Sequence, residues 1–136
     1  MTKQVLCDLP NTLYDSRHRA TEDALFLTCI EDDKLNQTAY KLIKDLQSLD
    51  YSITFTHYCL TRLADKVEER LYKDFPCARL YTNFATQNVY NNQTLKQHII
   101  KQLANTHSSF DYVIDNDQSM STFYHKYNVN NIKVPL

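Results

Sequence analysis

The chain has 136 residues, 43% of them hydrophobic and 23% charged, and a formal net charge of −1. That length and balance describe one soluble globular domain with a core of ordinary size. The near-zero charge excludes a global attraction to nucleic acid or anionic lipid, so polyanion binding needs a local basic patch.

Taken in chain order, Val5–Asp8 reads as a strand that ends in a carboxylate and runs into a Pro-Asn-Thr turn. Glu22–Ile30 is moderately apolar and reads as helix. Leu35, Ala39, Leu42, Ile43, Leu46 and Leu49 recur at three- and four-residue steps, an amphipathic helix ended by Asp50. Tyr51–Thr56 is β-branched and aromatic, a strand. Leu60, Leu63, Ala64, Val67 and Leu71 mark a second amphipathic helix, closed before Pro76. Ala78–Thr82 is a strand, Asn83–Asn92 a loop, and Leu95, Ile99 and Leu103 a third amphipathic helix. Phe110–Asp115 is a strand ending in a carboxylate, Met120–Tyr127 a short helix, and Ile132–Val134 a last strand. Regular alternation of this kind implies an α/β domain: a three-layer, Rossmann-like sandwich with a central parallel sheet of about five strands. No linker, repeat or low-complexity tract divides residues 1–136, so a single domain is expected.

Glycine is absent. A P-loop, a GxGxxG dinucleotide fingerprint and any glycine-rich phosphate cradle are therefore excluded. Tight turns and helix ends must instead place Asn or Asp at positive φ, at some cost in strain. The four cysteines (Cys7, Cys29, Cys59 and Cys77) form no CxxC pair, and Cys7 and Cys29 in apolar runs read as buried thiols. The five histidines show no ligand spacing. No apolar run approaches the roughly 18 residues of a membrane span, and the first ten residues carry no signal-peptide core. A cytoplasmic protein with no membrane partner is the expectation.

Chemistry is concentrated at strand ends, where open α/β sheets bind their ligands. Asp8-Leu9-Pro10-Asn11-Thr12 after an apolar strand resembles the first motif of the haloacid dehalogenase superfamily, Asp-x-Asp-Gly-Thr. Thr56 closes the second core strand, Lys96 opens the helix before the fourth, and Asp115-Asn116 ends that strand. These match the remaining motifs in order. The chain resembles most the small, capless, phage-type polynucleotide 3′-phosphatase domains, which often carry a segment like Asp15-Ser16-Arg17-His18-Arg19 after the first motif and an Ile-Asp-Asp-x-x-Ser tail like Ile114–Ser119.

The resemblance implies a Mg²⁺-dependent phosphohydrolase. Asp8 is then the nucleophile that forms an aspartyl-phosphate. Asp8, the Pro10 carbonyl, Asp115 and Asn116 hold the metal. Thr56 and Lys96 hold the phosphoryl oxygens as charge shifts, and Thr12, Arg17 and Arg19 contribute to phosphate or substrate binding. Three positions depart from the pattern. Pro10 stands where the family has its general acid and base, a group worth about 10²–10⁴-fold. His57 replaces a small residue after the phosphate-binding Thr, so a bulky ring near the phosphate is expected. Asn116 replaces an acid and lowers the negative charge of the site. The helices between Asp8 and Thr56 leave no room for a large cap, and an open site goes with macromolecular or end-of-chain substrates.

Two functions follow. One is a phosphatase on a nucleotide or nucleic-acid-end phosphate, impaired by Pro10 and with Mg²⁺ held weakly or lost. The other is a catalytically degenerate member of the same fold that binds a phosphate or a host protein, for instance a phage-encoded inhibitor acting in a bacterial cytoplasm.

Overall fold

A computed structural model describes residues 3–17, 33–59, 64–76, 78–84, 96–98, 100–101 and 110–136. The expected helix over Glu22–Ile30 lies outside these residues, as do Arg19, Cys29 and Cys77. The elements are β1 (Lys3–Asp8), β2 (Tyr14–Asp15), β3 (Lys34–Leu35), α1 (Gln37–Ser48), β4 (Tyr51–Cys59), α2 (Ala64–Asp74) and β5 (Arg79–Phe84). They continue with β6 (Tyr112–Ile114), a 3-10 turn (Gln118–Met120), α3 (Ser121–Lys126) and β7 (Asn130–Ile132). Residues 96–98 and 100–101 are also helical.

Five strands form one sheet in the order β5-β4-β1-β6-β7, and every neighbouring pair is parallel. The expected α/β sandwich is the observed one, with the first strand central between the second and fourth core strands. The sheet buries both faces. Alternation along β1 sends Val5 and Cys7 to one side, where they pack with Ile43 and Leu46 of α1 and Val67 and Leu71 of α2. Leu6 goes to the other side and meets Ile100, Val113, Met120 and Tyr124.

Local chemistry explains the helix bounds. Asn36 caps α1 by accepting from the Thr38 and Ala39 backbone N–H groups. Buried Ala39, Ile43 and Leu46 then form its core-facing stripe, where each full-size side chain contributes roughly 1.5–3 kcal/mol of burial. Asp50, at φ 67°, ends α1 in the left-handed region. After α3, Asn128 takes φ 56° while Val129 N donates to Tyr124 O at 2.9 Å and Asn128 N to His125 O at 3.1 Å. This is a Schellman closure built without glycine. Asn11, at φ 53°, is the remaining described residue at positive φ. The expectation that Asn and Asp do the work of glycine holds at all three.

Several strand boundaries differ from the reading of the sequence. β4 runs on to Cys59 rather than stopping at Thr56, because β5 extends to Phe84 and pairs with His57, Tyr58 and Cys59. The last strand lies at Asn130–Ile132 instead of Ile132–Val134. Val134 spends its backbone on side chains: its N–H donates to Asn116 Oδ1, and its carbonyl accepts from the amides of Asn116 and Asn36. A two-residue antiparallel ladder also joins Tyr14 to Leu35 and Asp15 to Lys34. Pieces that short carry no periodicity to read. No helix among the described residues is long and apolar enough to cross a membrane.

Candidate functional site

Strand register and parity bring the expected residues together. Asp8 is the register partner of Thr56, and Cys7 that of Ile114, so Asp115 follows at the level of Asp8. All three occupy the parity that points away from α1 and α2, the side also taken by Leu6 and Val113. Lys96 comes to that side on a helical segment that buries Ile100 one turn further on. This point is where the strand order reverses direction, at the carboxyl ends of β1 and β6, the usual ligand crevice of a doubly wound sheet.

The four side chains are 0–3% exposed and interlocked. Lys96 Nζ lies 3.1 Å from Asp8 Oδ2, 2.8 Å from Asp115 Oδ2 and 3.7 Å from Asp117 Oδ2. Thr56 Oγ1 donates to Asp8 Oδ1 at 3.2 Å. Asp115 also accepts from Tyr124 OH on Oδ2 at 2.6 Å and from Asp117 N on Oδ1 at 2.9 Å. Burial works against the Lys96 ammonium, but the carboxylates of Asp8 and Asp115 outweigh it and hold its pKa above the ordinary lysine value. Burial raises the Tyr124 hydroxyl, and the Asp115 charge beside it raises it further. For Asp117, burial is outweighed by hydrogen bonds from Ser119 and by the Lys96 charge, and its pKa is lowered.

The loop after Asp8 is closed on itself. Leu9 N donates to Thr56 O (3.0 Å), Asn11 N to Tyr14 O (2.8 Å) and Tyr14 N to Leu9 O (3.0 Å). Longer bonds of 3.4 Å take Thr12 N to Leu9 O and Leu13 N to Asp8 O, and Pro10 has no N–H to give. Every backbone donor of residues 9–14 thus has a partner within the protein or does not exist. Such a loop is unlike an anion-binding nest, whose N–H groups point outward.

Other expected site residues sit apart from the cluster or face elsewhere. The Thr12 hydroxyl accepts from Asn116 N at 3.1 Å. The Asn116 amide donates to Asn11 O (2.9 Å) and Val134 O (2.7 Å), while its Oδ1 accepts from Val134 N (2.7 Å). That side chain fastens the C-terminal segment to the first loop. Arg17 is exposed and forms a two-pronged pair with Asp15, at 2.9 and 2.8 Å. His57, expected near the phosphate, has the opposite parity to Thr56 on β4 and is buried. The expectation treated sequence neighbours as spatial neighbours, whereas successive strand residues face opposite sides.

Tyr124 and Asp117 were not singled out from the sequence. The signal for Tyr124 was present: a phenol one turn after Met120 on the inward stripe of a short helix must find a buried acceptor. Asp117 had a local signature too, since Asp-x-Ser is what lets its carboxylate cap the 3-10 turn through Ser119 N.

Fold and cluster together define a doubly wound parallel α/β domain with a buried Asp-Thr-Lys-Asp constellation at its switch point. No family model matches the chain, and no curated protein matches it in sequence. Solved structures do match in shape. A chain of the Pnkp1/Rnl/Hen1 RNA repair complex superposes with a TM-score of 0.81 at 17% identity, over 98% of this chain and 42% of that one. A second Pnkp1/Rnl/Hen1 complex chain gives 0.81 at 17% identity, over 99% of this chain and 46% of that one. At such identity the likeness establishes the fold, and this chain spans less than half the length of either neighbour.

Proposed function

We propose that this chain is a haloacid-dehalogenase-type phosphohydrolase domain that acts with Mg²⁺ on a phosphate at a nucleotide or nucleic-acid end and is slowed by Pro10. The observation behind this reading is the meeting of Asp8, Thr56, Lys96 and Asp115 at one buried point above three adjacent strand ends. The structural likeness to chains of an RNA repair complex favours a nucleic-acid end as the substrate.

In this reaction Asp8 attacks phosphorus through a carboxylate oxygen, and the bond from phosphorus to the leaving oxygen breaks. With no carboxyl at position 10, the departing alkoxide takes its proton from water. Water then attacks the aspartyl-phosphate at phosphorus, releasing phosphate and restoring Asp8. Thr56 orients the nucleophile through Oδ1, and Lys96 offers positive charge to the phosphoryl oxygens.

The donors suit a hard cation, because they are carboxylate oxygens and the three acids exceed Lys96 in charge. They do not form a cage: among the described residues no three acidic, His or Cys groups are placed to hold an ion, and Lys96 already spans Asp8 and Asp115. Asp8, Asp115 and the Pro10 carbonyl are the groups that would hold Mg²⁺, and they would hold it weakly. A bound Mg²⁺ would supply charge neutralisation at the phosphate.

The self-closed loop and the inward-facing Asn116 amide favour a second reading, a degenerate phosphate site that binds without turnover. Phosphate release separates the two. With millimolar Mg²⁺, wild type should release phosphate from an aryl phosphate, and Asp8→Asn should abolish it. No release from either an aryl phosphate or a 3′-phosphate oligonucleotide, at any Mg²⁺ concentration, leaves only the binding reading.

A further inference from the structure

Away from the carboxylate cluster, α2 turns a basic stripe toward a cavity of about 230 Å³ whose described lining is Lys66, Glu69, Arg70 and Lys73. The three cations are spaced i, i+4 and i+7, which puts them on one side of a helix. They lie beside the stripe of Val67 and Leu71 that docks α2 on the sheet. Lys66 and Lys73 span about 10 Å of helix axis. Among the described residues neither is in an ion pair.

Arg70 ties this stripe to the loop that carries Asp8. Its guanidinium lies 4.8 Å from the centroid of the Tyr14 ring and 3.5 Å from Asp74 Oδ2, the oxygen to which Tyr14 OH donates at 2.6 Å. Tyr14 in turn closes the Asp8 loop through its own N–H and carbonyl. The cavity and the loop after Asp8 are thus joined through one packed contact. On a chain with a net charge of −1, a concavity whose described lining sets Lys66, Arg70 and Lys73 against Glu69, with Arg70 also paired to Asp74, leaves the two lysines as the local basic patch that polyanion binding requires.

We propose that the Lys66–Arg70–Lys73 face of α2 binds the sugar-phosphate backbone of a single-stranded nucleic acid, the strand whose end reaches Asp8. The inference deepens the proposed function and rests on it for the role of the strand end, though not for the binding itself. Lysines serve here as point charges along a flexible backbone, and the two of them make a modest, salt-sensitive contact without base readout. A mononucleotide would leave most of the stripe without a partner, so a polymer is the fitting substrate class.

The test is binding of a short single-stranded oligonucleotide without terminal phosphates, followed by fluorescence anisotropy across a salt series. Lacking an end phosphate, the probe reports on α2 and not on Asp8 chemistry, which phosphate release measures separately. Two lysine–phosphate contacts give a slope of log K against log salt of about −1.4 for a single strand. Lys66→Ala/Lys73→Ala, both exposed positions, should bring the slope close to zero, because Arg70 is held by Asp74. Lys41→Ala on the exposed side of α1 should leave it unchanged. An unaltered slope in the double variant, or no binding by wild type at low salt, overturns the proposal even if Asp8-dependent release persists. Equal competition by poly-glutamate overturns the nucleic-acid assignment in favour of an acidic peptide.

Discussion

The Lys96 ammonium lies 2.8 Å from Asp115 Oδ2, and both side chains are fully buried. Neither charge is tolerable there without the other. Removing one partner of a buried pair typically costs about 3–5 kcal/mol, because the survivor keeps its desolvation penalty. Lys96→Met should therefore destabilise the domain by an amount of that order, read as a fall in the urea midpoint at constant slope. Adding Asp115→Asn should recover part of the loss, since one of the stranded charges is then gone. Additive losses in the double variant would mean that the pair is not coupled.

Alkaline stability follows from the same buried groups. Burial, and then a neighbouring carboxylate, raises the hydroxyls of Tyr14 (Asp74) and Tyr124 (Asp115) above the ordinary 10.0. Lys96 is raised above 10.5 because Asp8 and Asp115 outweigh its burial. A group whose folded pKa exceeds its unfolded one contributes stability that is complete below the unfolded value and is lost as pH rises. Stability should accordingly hold to about pH 9 and fall above pH 10, each group adding roughly 1.4 kcal/mol per pH unit while only the unfolded chain has lost its proton. Urea titrations at pH 9 to 11 check this, and Tyr124→Phe should shallow the decline by one proton. A stability that stays level through pH 11 would contradict it.

Glycine-free turns make a contrast between three positions. Asp50 and Asn128 hold φ of 67° and 56°, and Asn11 holds 53°. At Asp50 and Asn128 the side chain is exposed, so Asp50→Gly and Asn128→Gly should each raise stability by about 0.5–1 kcal/mol through relief of left-handed strain. At Asn11 the amide oxygen accepts from both Ser16 N and Ser16 Oγ at 2.9 Å. Asn11→Gly should lose more than it relieves. Thermal unfolding of the three variants gives the ordering.

Much of the site could be read because parity and strand order are properties of sequence. Once β1 is placed at Val5–Asp8, alternation dictates that Asp8 faces the side opposite Cys7, and a 3-2-1-4-5 sheet puts Thr56 and Asp115 beside it. Lys96 is legible only through its place at the start of the helix before the strand of Asp115, as the resemblance implies, since the expected stripe of Leu95, Ile99 and Leu103 leaves out Ile100, which is buried. The loop from Leu9 to Tyr14 could not be read in the same way. Its closure depends on which carbonyl each N–H finds, and Asn116 reaches Asn11 and Val134 across intervals that leave no periodic trace. The Tyr14–Arg70–Asp74 contact was hidden for the same reason, since it joins residues on elements that meet only after the sheet has formed.

Position 10 decides the chemistry. Pro10 supplies neither a carboxyl nor an N–H, and the neighbouring N–H groups of Leu9 and Asn11 are engaged by Thr56 O and Tyr14 O. Asp8 must therefore expel an unprotonated leaving group. An aryl phosphate, whose phenolate leaves readily, should react far faster than a 3′-phosphate end, whose alkoxide does not. Pro10→Asp supplies an acid, and general acid assistance of about 10²–10⁴-fold should appear on the 3′-phosphate and hardly on the aryl ester. The backbone can follow the change: Pro10 is only half-buried, and Asn11 already takes the positive φ that turns the chain. The measurement is kcat on both substrates for wild type, Pro10→Asp and Pro10→Asn, the last restoring the N–H without the acid. A gain confined to Pro10→Asp assigns the defect to the missing carboxyl. An equal gain in Pro10→Asn assigns it to the missing donor, and equal gains on both substrates would refute the leaving-group argument.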